Sequence, residues 1–238
     1  MGDCTNEAFS APSGASPFER NADRYDEWFD TPKGSRIFQV EVACIRDLLI
    51  DVPHPWLEVG VGTGRFAKAL AIDEGVDASP AVLRYALQRG IQTQFGRAEA
   101  LPYVSNRFQA TLLITTVCFL QSPSRALDEC RRVLREDGCL IVGLIPKDSL
   151  WGSVYARLGA EAHPIYSAAR FYTSQEVVKF AERAGFYLSQ AMSCLFEKPD
   201  HTVDRYEHPQ EGLVKGAGFV GMRFGTNKSK DFISRCVR

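Results

Sequence analysis

The run LEVGVGTGRFAKAL, Leu57–Leu70, sets three glycines within five positions behind a short apolar stretch and passes at once into a helical pattern. A backbone stripped of side chains between a strand and a helix lets a ligand approach closely and aims the first helical amides at it. The spacing narrows the choice of ligand. A nucleoside triphosphate loop ends in Gly-Lys-Ser/Thr, whereas Gly64 is followed by Arg65 and Phe66. A dinucleotide fingerprint, G-x-G-x-x-G, needs its third glycine at position 65, which is arginine; the glycine falls one place early, at Gly64.

Outward from this loop, short apolar runs alternate with helical segments. WLEVG reads as the first strand and GRFAKALA as its helix. DEGVDA is the second strand; Ser79-Pro80 then supplies a cap and a first-turn proline for AVLRYALQRG. IQTQFG, ATLLITTVCFL and CLIVGLIP give three further strands, with PSRALDECRRVLRE as an amphipathic helix ending at Gly138. FYLSQAMSCLF and GAGFVGMRF follow a helix that runs from Thr173 to Gly185 and make an antiparallel edge pair. The alternation predicts an α/β, Rossmann-like, doubly wound and mostly parallel sheet of seven strands.

FERNADRYDEWFD, a break at Pro32-Lys33-Gly34, and SRIFQVEVACIRDLLI form an N-terminal helical cap over residues 18–50. In the second segment Ile37, Val40, Glu41, Cys44 and Leu48 recur at helical spacing. Residues 147–173 are aromatic and poorly periodic, a candidate substrate lid inserted between sheet elements. Residues 1–17 read as a disordered arm and 226–238 as a flexible tail, which leaves 18–225 as one domain.

With 28 Lys+Arg against 29 Asp+Glu the chain lacks the basic footprint of a nucleic-acid partner, and a small-molecule substrate fits better. Seven cysteines without a C-x-x-C pair suggest neither a disulfide framework nor a metal site. No apolar run approaches the roughly 20 residues of a membrane span, and no secretory signal is evident, so the expected location is the cytoplasm. Oligomeric state is not encoded legibly.

G-x-G-x-G preceded by the acid Glu58 resembles the first motif of the class I S-adenosylmethionine-dependent methyltransferases, over roughly Tyr25 to Phe224. The resemblance is nearest to the ubiquinone/menaquinone-biosynthesis type of small-molecule methyltransferase. It implies S-adenosylmethionine as cofactor, S-adenosylhomocysteine as product, and a cofactor site made of Gly60, Gly62, Gly64 and Asp77, the last gripping both ribose hydroxyls. GRAEALPY, Gly96–Tyr103, is similar to the adenine-binding segment, which assigns a backbone amide to Ala98 and an acid to Glu99; many relatives carry Asp or Asn where Arg97 stands. YDEWFDTPKG, Tyr25–Gly34, is similar to the cap whose tyrosine approaches the amino-acid end of the cofactor.

Several residues admit two readings. Glu58 can cap the loop or lie near the methionine moiety. Thr115 and Thr116, ending the fourth strand, are either ordinary strand residues or ligand contacts at the carboxyl edge. Cys118 is a packed thiol or a nucleophile, with the packed thiol favoured. His163 and Tyr166, in the aromatic insertion, are candidates for acid–base work, against a surface-loop role for the histidine. Methyl transfer to a small-molecule N, O, S or C nucleophile is the leading expectation. A nucleotide-dependent oxidoreductase with a variant loop and a non-catalytic S-adenosylmethionine-binding regulator are the alternatives.

Overall fold

The computed structural model describes residues 16–199 and 207–226, so nearly all of the expected arm and tail lies outside the described residues. The strands are β1 (Trp56–Val59), β2 (Glu74–Asp77), β3 (Gln92–Phe95), β4 (Phe108–Ile114), β5 (Leu134–Leu144), β6 (Tyr187–Cys194), β7 (Gln210–Glu211) and β8 (Phe219–Gly225). They form one sheet in the order β3-β2-β1-β4-β5-β8-β6-β7. β1 to β5 pair in parallel, and β8 is antiparallel to both β5 and β6. The order reverses between β1 and β4, where an open α/β sheet leaves a crevice at the carboxyl ends of its strands.

The helices are α1 (Pro17–Trp28), α2 (Pro32–Asp47), α3 (Arg65–Leu70), α4 (Pro80–Gln88), α5 (Pro123–Val133), α6 (Leu150–Ala160) and α7 (Ser174–Arg183). Period-two alternation in the central strands splits the core into two layers. Ala110, Leu112, Ile114, Cys139 and Ile141 pack with α2, α3 and α4 on one face. Leu113, Leu140 and Val142 pack with α5 and α7 on the other.

Four local expectations change. Pro32 starts a helix: Thr31 Oγ1 accepts from Gly34 N at 3.0 Å, and a first-turn proline loses no hydrogen bond. α5 ends at Val133, and β5 begins at Leu134, which pairs with Phe108 ahead of a register shift. The insertion after Pro146 contains α6, whose glycines hid it from periodicity; a Cβ on Gly152 would stand 2.1 Å from Pro146 O, so the helix needs glycine there for close packing. β8 lies within the sheet beside β5, and the two-residue β7 closes the β6 edge.

Candidate active site

The glycine loop is sewn to the end of β2. Gly60 N and Val61 N both donate to Val76 O, at 2.8 and 3.0 Å, and Gly62 N donates to Asp77 Oδ2 at 2.9 Å. Gly60, Gly62 and Gly64 all have positive φ. A Cβ on Gly62 would meet nothing nearer than Tyr25 Cε1 at 3.8 Å, so the loop presents open space beneath that ring.

Two acids flank this space. Glu58 is 2 % exposed in β1, and its Oε2 has no hydrogen-bond partner among the described residues. Burial holds its carboxyl well above the usual carboxylate range, with the Asp77 charge adding and the Ala67 amide opposing. Burial also raises Asp77, against the amides of Gly62, Ser79 and Ala78; its Oδ1 accepts from Ser79 N at 2.9 Å. No hydrogen bond among the described residues engages the Ala98 amide. An orphaned buried carboxylate oxygen, an acid at the tip of β2 and an unengaged amide fit S-adenosylmethionine, which brings cationic centres, ribose hydroxyl donors and an adenine edge.

The other sequence candidates have the following surroundings. Glu99 Oε1 accepts from Gln121 N and Ser122 N, at 3.0 and 3.2 Å, and so ties the segment after β3 to the start of α5. Thr115 has φ +52°, a strained conformation for a β-branched residue, and lines a cavity beside the loop. Thr116 covers Gly60 instead, its side chain filling the place a Cβ would take. Cys118 and Tyr166 line the same cavity, and burial pushes both groups up to about 12, which keeps the thiol protonated at neutral pH. His163 Nδ1 accepts from the amides of Ile165 and Tyr166 at 3.3 and 3.4 Å, and its ring stacks on Tyr166. Burial, then the Arg24 charge, lowers its pKa.

The cap is fastened by a group of residues that sequence reasoning passed over. Glu19 Oε2 accepts from Ser79 Oγ at 2.6 Å and Ala81 N at 3.2 Å, at the start of α4. Asp26 pairs with Arg65 at 2.8 Å and Arg89 at 2.7 Å, and Asp30 takes the other side of Arg65 at 2.7 Å. Glu19, Asp23, Asp26 and Asp30 recur at helical spacing, which is the signal that finds them. Burial alone would raise Asp26, but hydrogen bonds led by Arg65 bring it down to about 2. Asp26→Ala is therefore expected to cost about 2 kcal/mol in urea titration at pH 7. Because the folded pKa is depressed, that contribution is present above pH 4 and fades as pH falls from about 4 towards 2. Equal losses at pH 7 and pH 2.5 would contradict the assignment.

Between cap and insertion lies a cavity of about 370 Å³, lined by Tyr25, Trp28, Phe66, Trp151, Tyr155 and Tyr166 among others. Glu41 of α2, 6 % exposed, also lines it, and burial pushes its carboxyl up to about 8. Tyr25 belongs to both spaces: it lies over Gly62 and borders the cavity, and its hydroxyl feels the charges of Glu41, Glu58 and Asp77.

Residues 57–142 match the family model of a methyltransferase domain. An uncharacterized protein of Mycobacterium tuberculosis is 36% identical over 92% of this chain and 78% of its own, and one of Methanocaldococcus jannaschii is 34% identical over 86% and 96%. Among solved structures, a SAM-dependent methyltransferase of Thermotoga maritima, named a possible histamine N-methyltransferase, aligns with TM-score 0.79 and 32% identity over 89% of this chain and 98% of that one. Magnesium protoporphyrin IX methyltransferase of Synechocystis, solved with bound SAH, shares the fold at TM-score 0.62 and 13% identity, over 88% and 96%.

Proposed function

The chain belongs to the class I S-adenosylmethionine-dependent methyltransferases, and from that membership we propose that it methylates a small molecule enclosed between the cap and the insertion. The observation that carries this reading is Tyr25, which separates the open space over the glycine loop from an aromatic cavity of about 370 Å³. In this reading Gly60, Gly62 and Gly64 give the cofactor room, Asp77 holds its ribose, Ala98 meets the adenine edge, and Glu58 faces its cationic end. When bound, S-adenosylmethionine supplies an activated methyl group that leaves sulfur by in-line displacement.

The chain's own task is then to position the acceptor and keep water out. Orientation of this kind is worth about 7 to 11 kcal/mol. The cap supplies Tyr25, Trp28 and Phe29; the insertion supplies Trp151, Tyr155 and Tyr166. Family membership sets aside the oxidoreductase and the non-catalytic regulator. The Thermotoga relative, as a possible histamine N-methyltransferase, supports an acceptor of low molecular weight. Five free cysteines among the described residues and the lack there of any helix fit to cross a membrane support a cytoplasmic location.

The test is calorimetry with S-adenosylmethionine, S-adenosylhomocysteine and a nicotinamide dinucleotide, then an acceptor screen with labelled methyl donor. Asp77→Ala is expected to weaken S-adenosylhomocysteine binding by about 1.5 to 3 kcal/mol, the scale of hydrogen bonds to a charged group. Unchanged affinity in a folded variant would remove Asp77 from the site.

A further inference from the structure

The acceptor cavity holds one carboxylate that nothing answers. Glu41 projects from the middle of α2 among Ile37, Val40, Val42, Cys44 and Ile45, all buried in the core, and its own residue is 6 % exposed. No hydrogen bond or ion pair among the described residues engages its carboxylate. The side chains that share the cavity with it are predominantly aromatic: Tyr25 from α1, Tyr155 and Trp151 from α6, and Tyr166 from the turn that follows. The cationic side chains of the lining, Arg24 and Lys33, are exposed, and Lys33 donates to Pro199 O. Positive charge thus stays at the solvent side while a lone acid lies inside.

Resting on the methyltransferase reading above, we propose that this site takes an organic amine, with Glu41 receiving its ammonium group and the surrounding rings holding the apolar body. A buried acid without a partner is costly, and a ligand that brings both a positive charge and N–H donors offsets that cost. Ring faces add a second attraction for the same charge. A neutral alcohol or a carboxylate ligand satisfies neither condition.

Proton bookkeeping gives the proposal a signature. With its carboxyl pushed up to about 8, Glu41 is mostly protonated at pH 7 in the empty cavity. Docking an ammonium ion favours the ionised acid, so the Glu41 O–H bond breaks and its proton leaves to the buffer. The neighbouring groups do not mimic this. Burial raises Tyr25, Tyr155 and Tyr166, and the hydrogen bond with Cys44, then burial, raises Cys194; these four stay protonated. Burial and Arg24 lower His163, which favours its neutral form.

The experiment is calorimetry on the full chain saturated with S-adenosylhomocysteine, using pentylamine, phenethylamine and tryptamine against 1-pentanol, 2-phenylethanol and tryptophol. At least one amine should bind about 10-fold or more tightly than its alcohol. Titrations at pH 7 in buffers of different ionisation enthalpy should show release of about one proton per amine. Glu41→Gln should abolish both the preference and the proton release while binding S-adenosylhomocysteine within about 3-fold of wild type. No amine binding, equal binding of amine and alcohol, or a preference that survives Glu41→Gln would overturn the proposal. A large loss of S-adenosylhomocysteine affinity in Glu41→Gln would also overturn it, because Glu41 would then serve the cofactor. Failure of the wild type to bind S-adenosylhomocysteine at all would sink the methyltransferase reading itself.

Discussion

Between pH 5 and pH 8 the wild-type chain is expected to lose roughly 3 kcal/mol of stability that Glu41→Gln retains, because each unit of pKa difference is worth about 1.4 kcal/mol. The sign follows from the direction of the shift. Burial pushes the Glu41 carboxyl up to about 8, while the unfolded chain titrates near the ordinary glutamate value of about 4.3. Between those values the folded state binds more protons than the unfolded state, so stability falls as pH rises. Below pH 4 both states carry a neutral acid, and the two proteins should respond alike. Glu58 and Asp77 are also raised by burial and tilt the wild-type curve in the same direction. The difference between wild type and variant, taken from urea titrations at each pH, isolates Glu41. Parallel curves would mean that the carboxylate is solvated and that the cavity offers no dry wall.

Two buried acids, Glu41 and Glu58, and the half-buried Asp77 around two adjoining spaces are a poor arrangement for an empty protein. Each favours the compact state less as it ionises, and none is paired with a cation among the described residues: Glu58 has an orphaned oxygen, Asp77 leans on backbone amides, and Glu41 lines a mostly apolar, aromatic cavity. Such departures from the rule that buried charge is paired are expected where a ligand completes the set. Acids paired with arginine hold the cap down instead: Asp26 and Asp30 meet Arg65, and Asp26 also meets Arg89. Asp26 gains its arginines within the protein and is driven in the opposite direction, to about 2. The same residue type thus separates into mooring and binding roles according to what stands opposite it.

That separation also explains what could be read from the chain alone. The glycine loop and Asp77 were legible because their geometry is local: a strand, a turn of fixed spacing, and an acid one β-α unit later, bonded to Gly62. Glu41 was visible but unremarkable, since it sits within an apolar helical stripe where a polar residue passes as pattern noise. Its meaning depends on Tyr155 and Tyr166, more than a hundred residues away, which form the other wall of the cavity. Glu99 was named from the chain, but its bonds to the amides of Gln121 and Ser122 were hidden for the same reason, since those residues lie more than twenty positions away. The helix of the insertion escaped because Gly152 and Gly159 weaken helical propensity, yet both are packed too closely for a side chain: a Cβ on Gly159 would lie 2.6 Å from Tyr166 O.

Gly64→Ala is expected to cost about 2 to 5 kcal/mol in urea titration. Gly64 caps α3 at φ +80°, where an L-residue with a side chain costs roughly 1 to 2 kcal/mol. Its Cβ would also lie 2.9 Å from Ala86 Cα and 3.0 Å from Ala86 Cβ. Ala86 is fully buried in α4, so it cannot recede, and overpacking adds about 1 to 3 kcal/mol. Adding Ala86→Gly removes one of the two contacts but leaves the Cα in place, and glycine inside a helix costs about 1 kcal/mol, so the double variant should not recover. Gly62→Ala provides the contrast. Its φ is also positive, but its Cβ meets only Tyr25 at 3.8 Å. It should lose only about 1 to 2 kcal/mol of stability, while its methyl intrudes on the space over the loop and weakens S-adenosylhomocysteine binding. The third glycine therefore falls one place earlier than in a dinucleotide loop because it brings α3 against α4, whereas the second keeps the ligand's space clear. Gly64→Ala at wild-type stability, or Gly62→Ala at wild-type affinity, would break that division.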